Sequence, residues 1–165
     1  MGDTPTQRPA PLAGPADWIA HVLSVWFGCG HVPKMPGTAG TIGAIPLYLL
    51  LRPHGLLAVA IAAGVITAVG IWSSSRVCER LQTKDPQIVC IDEVAGVLIT
   101  WLAAPPTWTG LVVGFVLFRL LDQFKPWPCR ACERLPRGWG VMMDDVLAGV
   151  WGAALILAAR QIGWL

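Results

Sequence analysis

Apolar residues form five runs along the chain, separated by Gly, Pro or charged residues. The runs cover 42–51, 56–72, 94–104, 108–121 and 146–159. Only 56–72 approaches the roughly 20 residues that a helix needs to cross a bilayer, and the others approach that length only by including their charged ends. Residues 52–55 interrupt the first two runs, so 42–72 is either a helical hairpin or one helix with an insert. The pattern predicts an all-α, polytopic or partly embedded helical membrane protein with three to five apolar helices.

The N-terminal part divides into a tail and a short amphipathic segment. Residues 1–17 are rich in Pro and small residues and lack an apolar signal sequence behind a basic head, so we expect a disordered tail. Asp17 is an N-cap candidate, and apolar residues follow at 18, 19, 22, 23, 26 and 27, which predicts a short interfacial helix. We expect a single helical membrane domain over 18–165.

The composition supports a lipid environment. Charged residues make up only 13% of the chain, hydrophobic residues make up 55%, and nine residues are tryptophan. The mean hydropathy is +0.59. Such a chain cannot cover itself with polar side chains, so a bilayer is the expected solvent for much of it. The formal net charge of +2 and the absence of a basic tract exclude nucleic acid as a predicted partner.

Basic residues indicate the orientation in the membrane. They cluster in the polar amphipathic segment 73–85, which follows the 56–72 run, and in the segment after the 108–121 run. The positive-inside rule places both segments on the cytoplasmic side. We therefore expect the chain between them to cross the membrane twice, through 94–104 and 108–121.

The five cysteines do not form a disulfide framework, because their number is odd and their positions are scattered. Cys129 and Cys132 have the C-x-x-C spacing of a zinc or redox half-site, but no second pair and no nearby histidine completes it. We interpret them as reduced thiols in a loop that faces the cytoplasm.

Half of the ten acidic residues lie at the ends of apolar segments. They are Asp92, Glu93, Asp122, Asp144 and Asp145. An ionised side chain in the bilayer costs roughly 2.5–3.5 kcal/mol at a helix centre, so these residues need pairing, hydration or a metal. If they converge, Arg119 and Lys125 offset only part of the repulsion, and Mg²⁺, which prefers oxygen ligands, is the simplest remaining counter-charge.

Purely structural roles remain open for the same residues. Each acidic pair, Asp92 with Glu93 and Asp144 with Asp145, also suits the cap of an apolar helix. Arg119 and Asp122 have the i,i+3 spacing of an intrahelical ion pair, and Lys125 suits a snorkelling interface residue.

A glycine–threonine segment precedes the first apolar run. In PGTAGTIG (36–43), Thr38 and Thr41 alternate with glycines such as Gly40. Glycine lets the backbone approach a ligand closely, and hydroxyl and free N–H groups at a helix start suit a phosphate. Close helix packing through small residues explains the pattern equally well.

Four blocks together resemble the phosphatidylglycerophosphatase A family in order and separation. They are PGTAGT (36–41), DEVAG (92–96), FRLLDQFKPWP (118–128) and MMDDVLAG (142–149). The resemblance implies a bacterial inner-membrane enzyme whose active site faces the cytoplasm. It implies removal of the terminal phosphate from the phospholipid phosphatidylglycerophosphate, with Mg²⁺ required, and no particular oligomeric state.

The residues of these blocks suggest roles in phosphomonoester hydrolysis. We expect the five acids named above to bind Mg²⁺ directly or through water and to form, with Arg119 and Lys125, the catalytic group. Arg119 and Lys125 would also hold the phosphate oxygens, and Thr38, Gly40 and Thr41 would complete the phosphate cradle. Attack by water and attack by an aspartate both remain open.

The alternative function is a small membrane cation carrier, in which the intramembrane acids bind an ion in transit and nothing is hydrolysed. Fixed positive charges such as Arg119 and Lys125 beside the acids argue against a cation pathway. The threonine segment argues against it as well.

Overall fold

The computed structural model describes residues 11–12 and 14–164. The described residues form helices and no strands, which confirms the all-α prediction. Most of the tail predicted over 1–17 lies outside the described residues, but the first helix begins at Pro15, before the expected boundary. The helices are α1 (Pro15–Ser24), α2 (Pro36–Leu51), α3 (Leu56–Leu81), α4 (Ile91–Ala103), α5 (Trp108–Phe124), α6 (Cys129–Cys132) and α7 (Gly138–Gln161).

Two short 3₁₀ turns complete the path. One covers Trp26–His31, and the other covers Arg52–His54 between α2 and α3. The apolar stretch 42–72 is therefore two helices joined by a turn, with Gly55 (φ 94°) as the residue that lets the chain reverse. The two helices of this hairpin pack against α4 far more than against each other.

Helix α4 forms the centre of the molecule. It packs against α2, α3, α5 and α7, and Val94, Val97, Leu98 and Trp101 have no exposed surface. The indole of Trp101 donates a hydrogen bond to the carbonyl oxygen of Leu111 at 3.0 Å, which fixes α5 against α4. A helix buried on nearly every side explains why the 94–104 run is almost continuously apolar.

The polar, amphipathic segment 73–85 is helical over most of its length. Helix α3 continues through it to Leu81 because its basic side chains find partners on α1. Arg76 pairs with Asp17 at 2.7 Å, and the Nη2 atom of Arg80 lies 3.1 Å from the Nδ1 atom of His21. These contacts hold α1 along the C-terminal half of α3.

By length and composition, two helices of the described chain are suited to cross a membrane. They are α3, with 26 residues, and α7, with 24. The α3 side chains Leu57, Ile61 and Val65 are each more than half exposed, which is unfavourable in water but expected in lipid. In contrast, α4 and α5 have 13 and 17 residues, short of the roughly 20 needed, so the expectation that 94–104 and 108–121 each cross gains no support from helix length.

Candidate active site

The ends of four helices meet around one cavity of about 480 Å³. The start of α2, the start of α4, the end of α5 and the first two turns of α7 surround it. All five acids and both basic residues expected at the site line this cavity. They are Asp92, Glu93, Arg119, Asp122, Lys125, Asp144 and Asp145. The structure thus brings together side chains that are up to 53 positions apart in the sequence, since 145 − 92 = 53.

Three of the acids form a compact inner group, which we call the carboxylate triad: Asp92, Glu93 and Asp145. One carboxylate oxygen from each lies within 4.8 Å of the others. Asp92 is 9% exposed and Asp145 is 3% exposed. The Oδ1 atom of Asp92, the Oε2 atom of Glu93 and the Oδ2 atom of Asp145 are buried without a hydrogen-bond partner. Buried carboxylate oxygens need a positive partner, so the triad fits a divalent cation.

Close helix packing brings the triad together. Asp92 and Glu93 lie in the first turn of α4, and Asp145 lies two turns into α7. The two helices approach so closely that a Cβ atom at Gly149 would lie 2.3 Å from the carbonyl oxygen of Gly96. The hydroxyl of Thr100 lies 3.2 Å from the carbonyl oxygens of both glycines. No larger residue at these two positions would allow this separation between the helices.

The helix-cap interpretation fails for Asp144 and Asp145. Helix α7 begins at Gly138, so both residues lie in the helix interior, and their carboxylates face the cavity. Asp92 and Glu93 do lie in the first turn of α4, where they favour the helix dipole, but neither makes a capping hydrogen bond from the N-cap position, which is Cys90. Helix stability alone therefore does not account for the acidic pairs.

The environment of the triad changes the acidity of Glu93, which lies outside the two candidate membrane spans. Burial and the nearby charge of Asp145 raise the pKa of Glu93 to about 8. Without a cation, this carboxyl group is therefore largely protonated at neutral pH. A bound cation would have to displace that proton.

Arg119 joins α5 to α4. Its Nη1 atom lies 2.8 Å from the Oδ2 atom of Asp122, which confirms the i,i+3 pair, and 3.6 Å from the Oε1 atom of Glu93. The Nε atom of Arg119 is buried and has no hydrogen-bond partner. The guanidinium therefore contacts a site residue on α4 as well as Asp122 on its own helix. Its Nε–H group could still donate a hydrogen bond to a ligand oxygen.

The start of α2 closes another side of the cavity. Gly37 lines the cavity, and a Cβ atom there would lie 1.9 Å from the Oε1 atom of Glu93 and 3.1 Å from the Nη1 atom of Arg119. Pro36 occupies the first helical position, so the following N–H groups have no partner within the helix. The glycine allows this positive helix end to approach the charged residues.

The remaining residues of the glycine–threonine segment lie away from the cavity. Thr41 is fully buried, and its hydroxyl donates to the carbonyl oxygen of Gly37 at 2.9 Å. Gly40 packs against Cys90, where a Cβ atom would lie 2.7 Å from the Cys90 carbonyl oxygen. Neither residue lines the cavity, and neither does Thr38. For Gly40 the packing interpretation describes the geometry, and the substrate-binding role of the three residues stays a prediction.

Lys125 does not snorkel into the interface. It ends α5 in a left-handed conformation (φ 43°, ψ 68°), and its Nζ atom lies 2.5 Å from the Oδ2 atom of Asp144 and 3.1 Å from the Oε1 atom of Glu133. Burial alone lowers the pKa of Lys125, but the bonds to Asp144 and Glu133 and the charges of Asp144 and Asp145 raise it above the ordinary value. The side chain is thus a fixed cation at the edge of the cavity.

Sequence patterns did not identify three of the residues at this site. Asp85 and Gln87 line the cavity from the α3–α4 connection, and Glu133 holds Lys125 from the end of α6. Asp85 and Gln87 flank Pro86 in a short polar connection seven and five residues before Asp92, as 92 − 85 = 7 and 92 − 87 = 5. This short distance from Asp92 was the only sequence feature that could have indicated a place for Asp85 and Gln87 at the site. No sequence feature indicated a place at the site for Glu133, because its position depends on how α6 folds back on α7.

Cys129 and Cys132 form the two ends of the four-residue helix α6. Cys129 is buried and Cys132 is half-buried, and all five cysteines have free thiols. Among residues 11–12 and 14–164, no third metal-binding side chain joins this pair. The pair lies in a short helix and not in a loop, and the reduced-thiol interpretation stays a prediction.

Comparison with known proteins gives a consistent family. The model of the family described as phosphatidylglycerophosphatase A matches residues 22–160. A phosphatidylglycerophosphatase A of Escherichia coli (strain K12) is 36% identical over 140 residues, covering 82% of this chain and 80% of the relative. Its counterpart in Haemophilus influenzae is 33% identical, covering 85% of this chain and 88% of the relative.

A further relative is named for a different substrate. A candidate phosphatidylinositol-3-phosphatase of Bacteroides thetaiotaomicron is 42% identical over 149 residues, covering 86% of this chain and 93% of the relative. No solved structure matches the chain significantly. The family model covers most of the chain, including all four sequence blocks and all the charged residues of the cavity, and the chain therefore belongs to the phosphatidylglycerophosphatase A family.

Proposed function

We propose that this protein is a Mg²⁺-dependent lipid phosphatase that hydrolyses the terminal phosphate monoester of phosphatidylglycerophosphate to phosphatidylglycerol and phosphate. The observation that carries the proposal is the carboxylate triad with three unpartnered oxygens, next to two fixed cations, at one end of a bundle of apolar helices. Relatives named for this activity support the choice of substrate.

A divalent cation fits the triad because three carboxylates supply hard oxygen ligands and leave them unpaired. Asp92, Glu93 and Asp145 would hold it, while Asp122 and Asp144, already paired with Arg119 and Lys125, would act through those bases or through water. When bound, the cation would neutralise phosphate charge and acidify an attacking water.

Three groups of the chain itself would bind the phosphate. Arg119 retains a buried unpartnered Nε donor, Lys125 carries a fixed charge at the cavity edge, and the free N–H groups at the start of α2 add a positive helix end. Together they would hold the phosphate oxygens and stabilise the charge that develops on them as the ester bond breaks. The acids alone would repel the substrate, so these donors are essential to the proposal.

The cavity offers two kinds of nucleophile. Either a water beside the triad or one of the cavity aspartates would attack the phosphorus. Acid-quenched single turnovers with ³²P-labelled substrate distinguish the two routes. Transient labelling of the protein supports an aspartyl-phosphate, and its repeated absence supports attack by water.

The position of the site suits a lipid substrate in the inner membrane. The cavity lies at the end of the bundle where α3 ends and α7 begins, and the basic residues of 76–84 and 125–137 lie at that end. By the positive-inside rule, this end faces the cytoplasm. The head group would then enter the cavity from the membrane surface while the acyl chains remain in lipid.

The Bacteroides relative favours a second candidate substrate for the same reaction, a phosphoinositide monoester. Both candidates present a phosphate monoester on a lipid head group, and the cavity of about 480 Å³ exceeds the volume of a phosphate alone. Rates measured on phosphatidylglycerophosphate and on phosphatidylinositol 3-phosphate, in the same detergent, decide between them.

The proposal is tested by phosphate release from phosphatidylglycerophosphate by the purified protein in detergent. We expect release with Mg²⁺ and its loss in EDTA. A cation carrier, the alternative function, would release none under either condition. Release that persists in EDTA would refute the cation dependence but leave the lipid phosphatase activity standing.

A further inference from the structure

Lys125 is held by two carboxylates from different parts of the chain. Asp144 reaches it from α7 at 2.5 Å, and Glu133 reaches it from the end of α6 at 3.1 Å. The Asp144 side chain is 7% exposed, whereas the Glu133 side chain is 50% exposed. The surrounding fold therefore restrains the buried Asp144 side chain more strongly than the half-exposed Glu133 side chain.

Both carboxylate oxygens of Asp144 already have a partner. Its Oδ2 atom binds Lys125, and its Oδ1 atom accepts a hydrogen bond from the backbone N–H of Asp145 at 3.0 Å. It also lies outside the carboxylate triad. Asp144 thus acts on the site by way of Lys125, and the direction in which Lys125 then points depends on its second partner.

We infer that Glu133 is a positioning residue for the proposed phosphatase: with Asp144 it clamps the Lys125 ammonium so that its third donor remains available to a substrate phosphate oxygen. An ammonium group has three N–H donors, and the two carboxylates use two of them. A single ion pair at the end of a flexible four-carbon stem leaves the group free to rotate and to move out of the cavity. The second carboxylate removes that freedom.

Hydrogen bonds within the segment between Lys125 and Glu133 keep Glu133 close to the Lys125 ammonium group. Lys125 leaves α5 in the left-handed conformation, and the guanidinium of Arg130 returns to bind the carbonyl oxygen of Phe124 at 3.1 Å. Cys129 is buried, and its N–H donates to the carbonyl oxygen of Pro126 at 2.8 Å. These bonds fold the segment back on itself and bring Glu133 to the ammonium eight positions away, as 133 − 125 = 8.

This inference rests on the proposed function, and its kinetic test uses phosphatidylglycerophosphate in detergent. We expect Glu133→Ala to raise KM about fivefold and to change kcat less than twofold, because the phosphate loses an oriented donor. Glu133→Gln keeps a side-chain oxygen acceptor, so we expect its KM within twofold of the wild type. A wild-type KM in the Ala variant would overturn the inference.

Glu79→Ala is the matched control. Glu79 has the same exposed fraction of 50%, pairs with a base, Arg137, and lies outside the cavity. We expect wild-type kinetics from this variant. A rise in KM equal to that of Glu133→Ala would show that the loss of any surface charge near the membrane is sufficient, and would overturn the positioning role.

A double-mutant cycle separates positioning from a general structural effect. In a Lys125→Met background, Glu133→Ala should cause no further rise in KM, because the residue it positions is gone. An additional fivefold rise would show that Glu133 acts by some other route and would contradict the inference.

A chemical readout does not depend on activity. The chain has three lysines, Lys34, Lys84 and Lys125, so brief acetylation at one fixed pH followed by mass spectrometry compares them within each sample. We expect Lys125 to react more slowly than the two exposed lysines in the wild type, and several-fold faster after Glu133→Ala. Equal rates in both proteins would refute the clamp. A wild-type protein that releases no phosphate from any lipid would instead refute the proposed function and leave the labelling result intact.

Discussion

Gly96 of α4 and Gly149 of α7 meet backbone to backbone, and a Cβ atom at 149 would lie 2.3 Å from the Gly96 carbonyl oxygen. Each glycine lies four positions after a member of the carboxylate triad, Asp92 on α4 and Asp145 on α7. Residues four apart lie on the same face of a helix. The glycine contact therefore sets the separation of the two carboxylates, and the similar sequences DEVAG and DDVLAG reflect one shared geometry.

Gly149→Ala should separate α4 from α7 and weaken both stability and activity. The new methyl group overlaps backbone that cannot move alone, so we expect a loss of about 1–3 kcal/mol and a lower unfolding temperature in detergent. Activity should fall at least tenfold even in protein that remains folded. Gly64→Ala is the control, because a Cβ atom there has no neighbour within 4 Å, and its stability should be unchanged or slightly higher. Wild-type activity in Gly149→Ala would show that the helix separation is not critical.

Asp145→Asn should separate stability from function. The substitution removes a buried negative charge, so in EDTA we expect the variant to unfold at the same temperature as the wild type or higher. Mg²⁺ should stabilise the wild type and not the variant, and turnover should fall by at least 100-fold. Thermal unfolding with and without Mg²⁺, combined with phosphate release, measures both effects. A variant that retains the Mg²⁺-induced rise in unfolding temperature would remove Asp145 from the cation site.

The seven charged residues singled out from the sequence all line the cavity, and they could be recognised because a charge is costly in an apolar segment; their catalytic and metal-binding roles stay predictions. Few residues of this chain are charged, so those at the ends of its apolar segments stand out, among them Asp92, Glu93, Arg119 and Asp122. A cavity at the helix ends lowers the cost of such charges, because they can be paired or hydrated there. The same reasoning did not reveal which acids form the triad. That selection depends on the 4.8 Å spacing set by helix packing, which no local pattern encodes.

Tertiary contacts decided several features that the local patterns left open. The polar segment 73–85 continues α3 because Arg76 and Arg80 find partners on α1. Glu133 reaches Lys125 only because α6 folds back. In each case a long-range partner, or the burial it produces, decided the role of a residue whose local sequence allowed several.

Cation binding should weaken as the pH falls below about 8. In the cation-free protein, burial and Asp145 raise the pKa of Glu93 to about 8, so the carboxyl group is protonated below that pH. A cation must then displace at least this proton, so its affinity should fall at least about tenfold for each further pH unit. Calorimetric titration with Mg²⁺ at pH 6, 7 and 8 measures this slope. Glu93→Gln should bind more weakly and show a smaller slope, whereas an affinity independent of pH in the wild type would contradict the protonated state.

Thr41→Val should leave substrate binding unchanged. The Thr41 hydroxyl is fully buried and donates to the Gly37 carbonyl oxygen within α2, so in this structure it does not reach the cavity. We expect KM and kcat for phosphatidylglycerophosphate within twofold of the wild type, with a stability loss of about 1 kcal/mol from the missing hydrogen bond. Gly37→Ala provides the contrast on the same helix, because its Cβ atom would collide with Glu93 and should disrupt the site. A tenfold rise in KM for Thr41→Val at unchanged stability would restore this threonine to the phosphate cradle and would mean that the start of α2 rearranges when substrate binds.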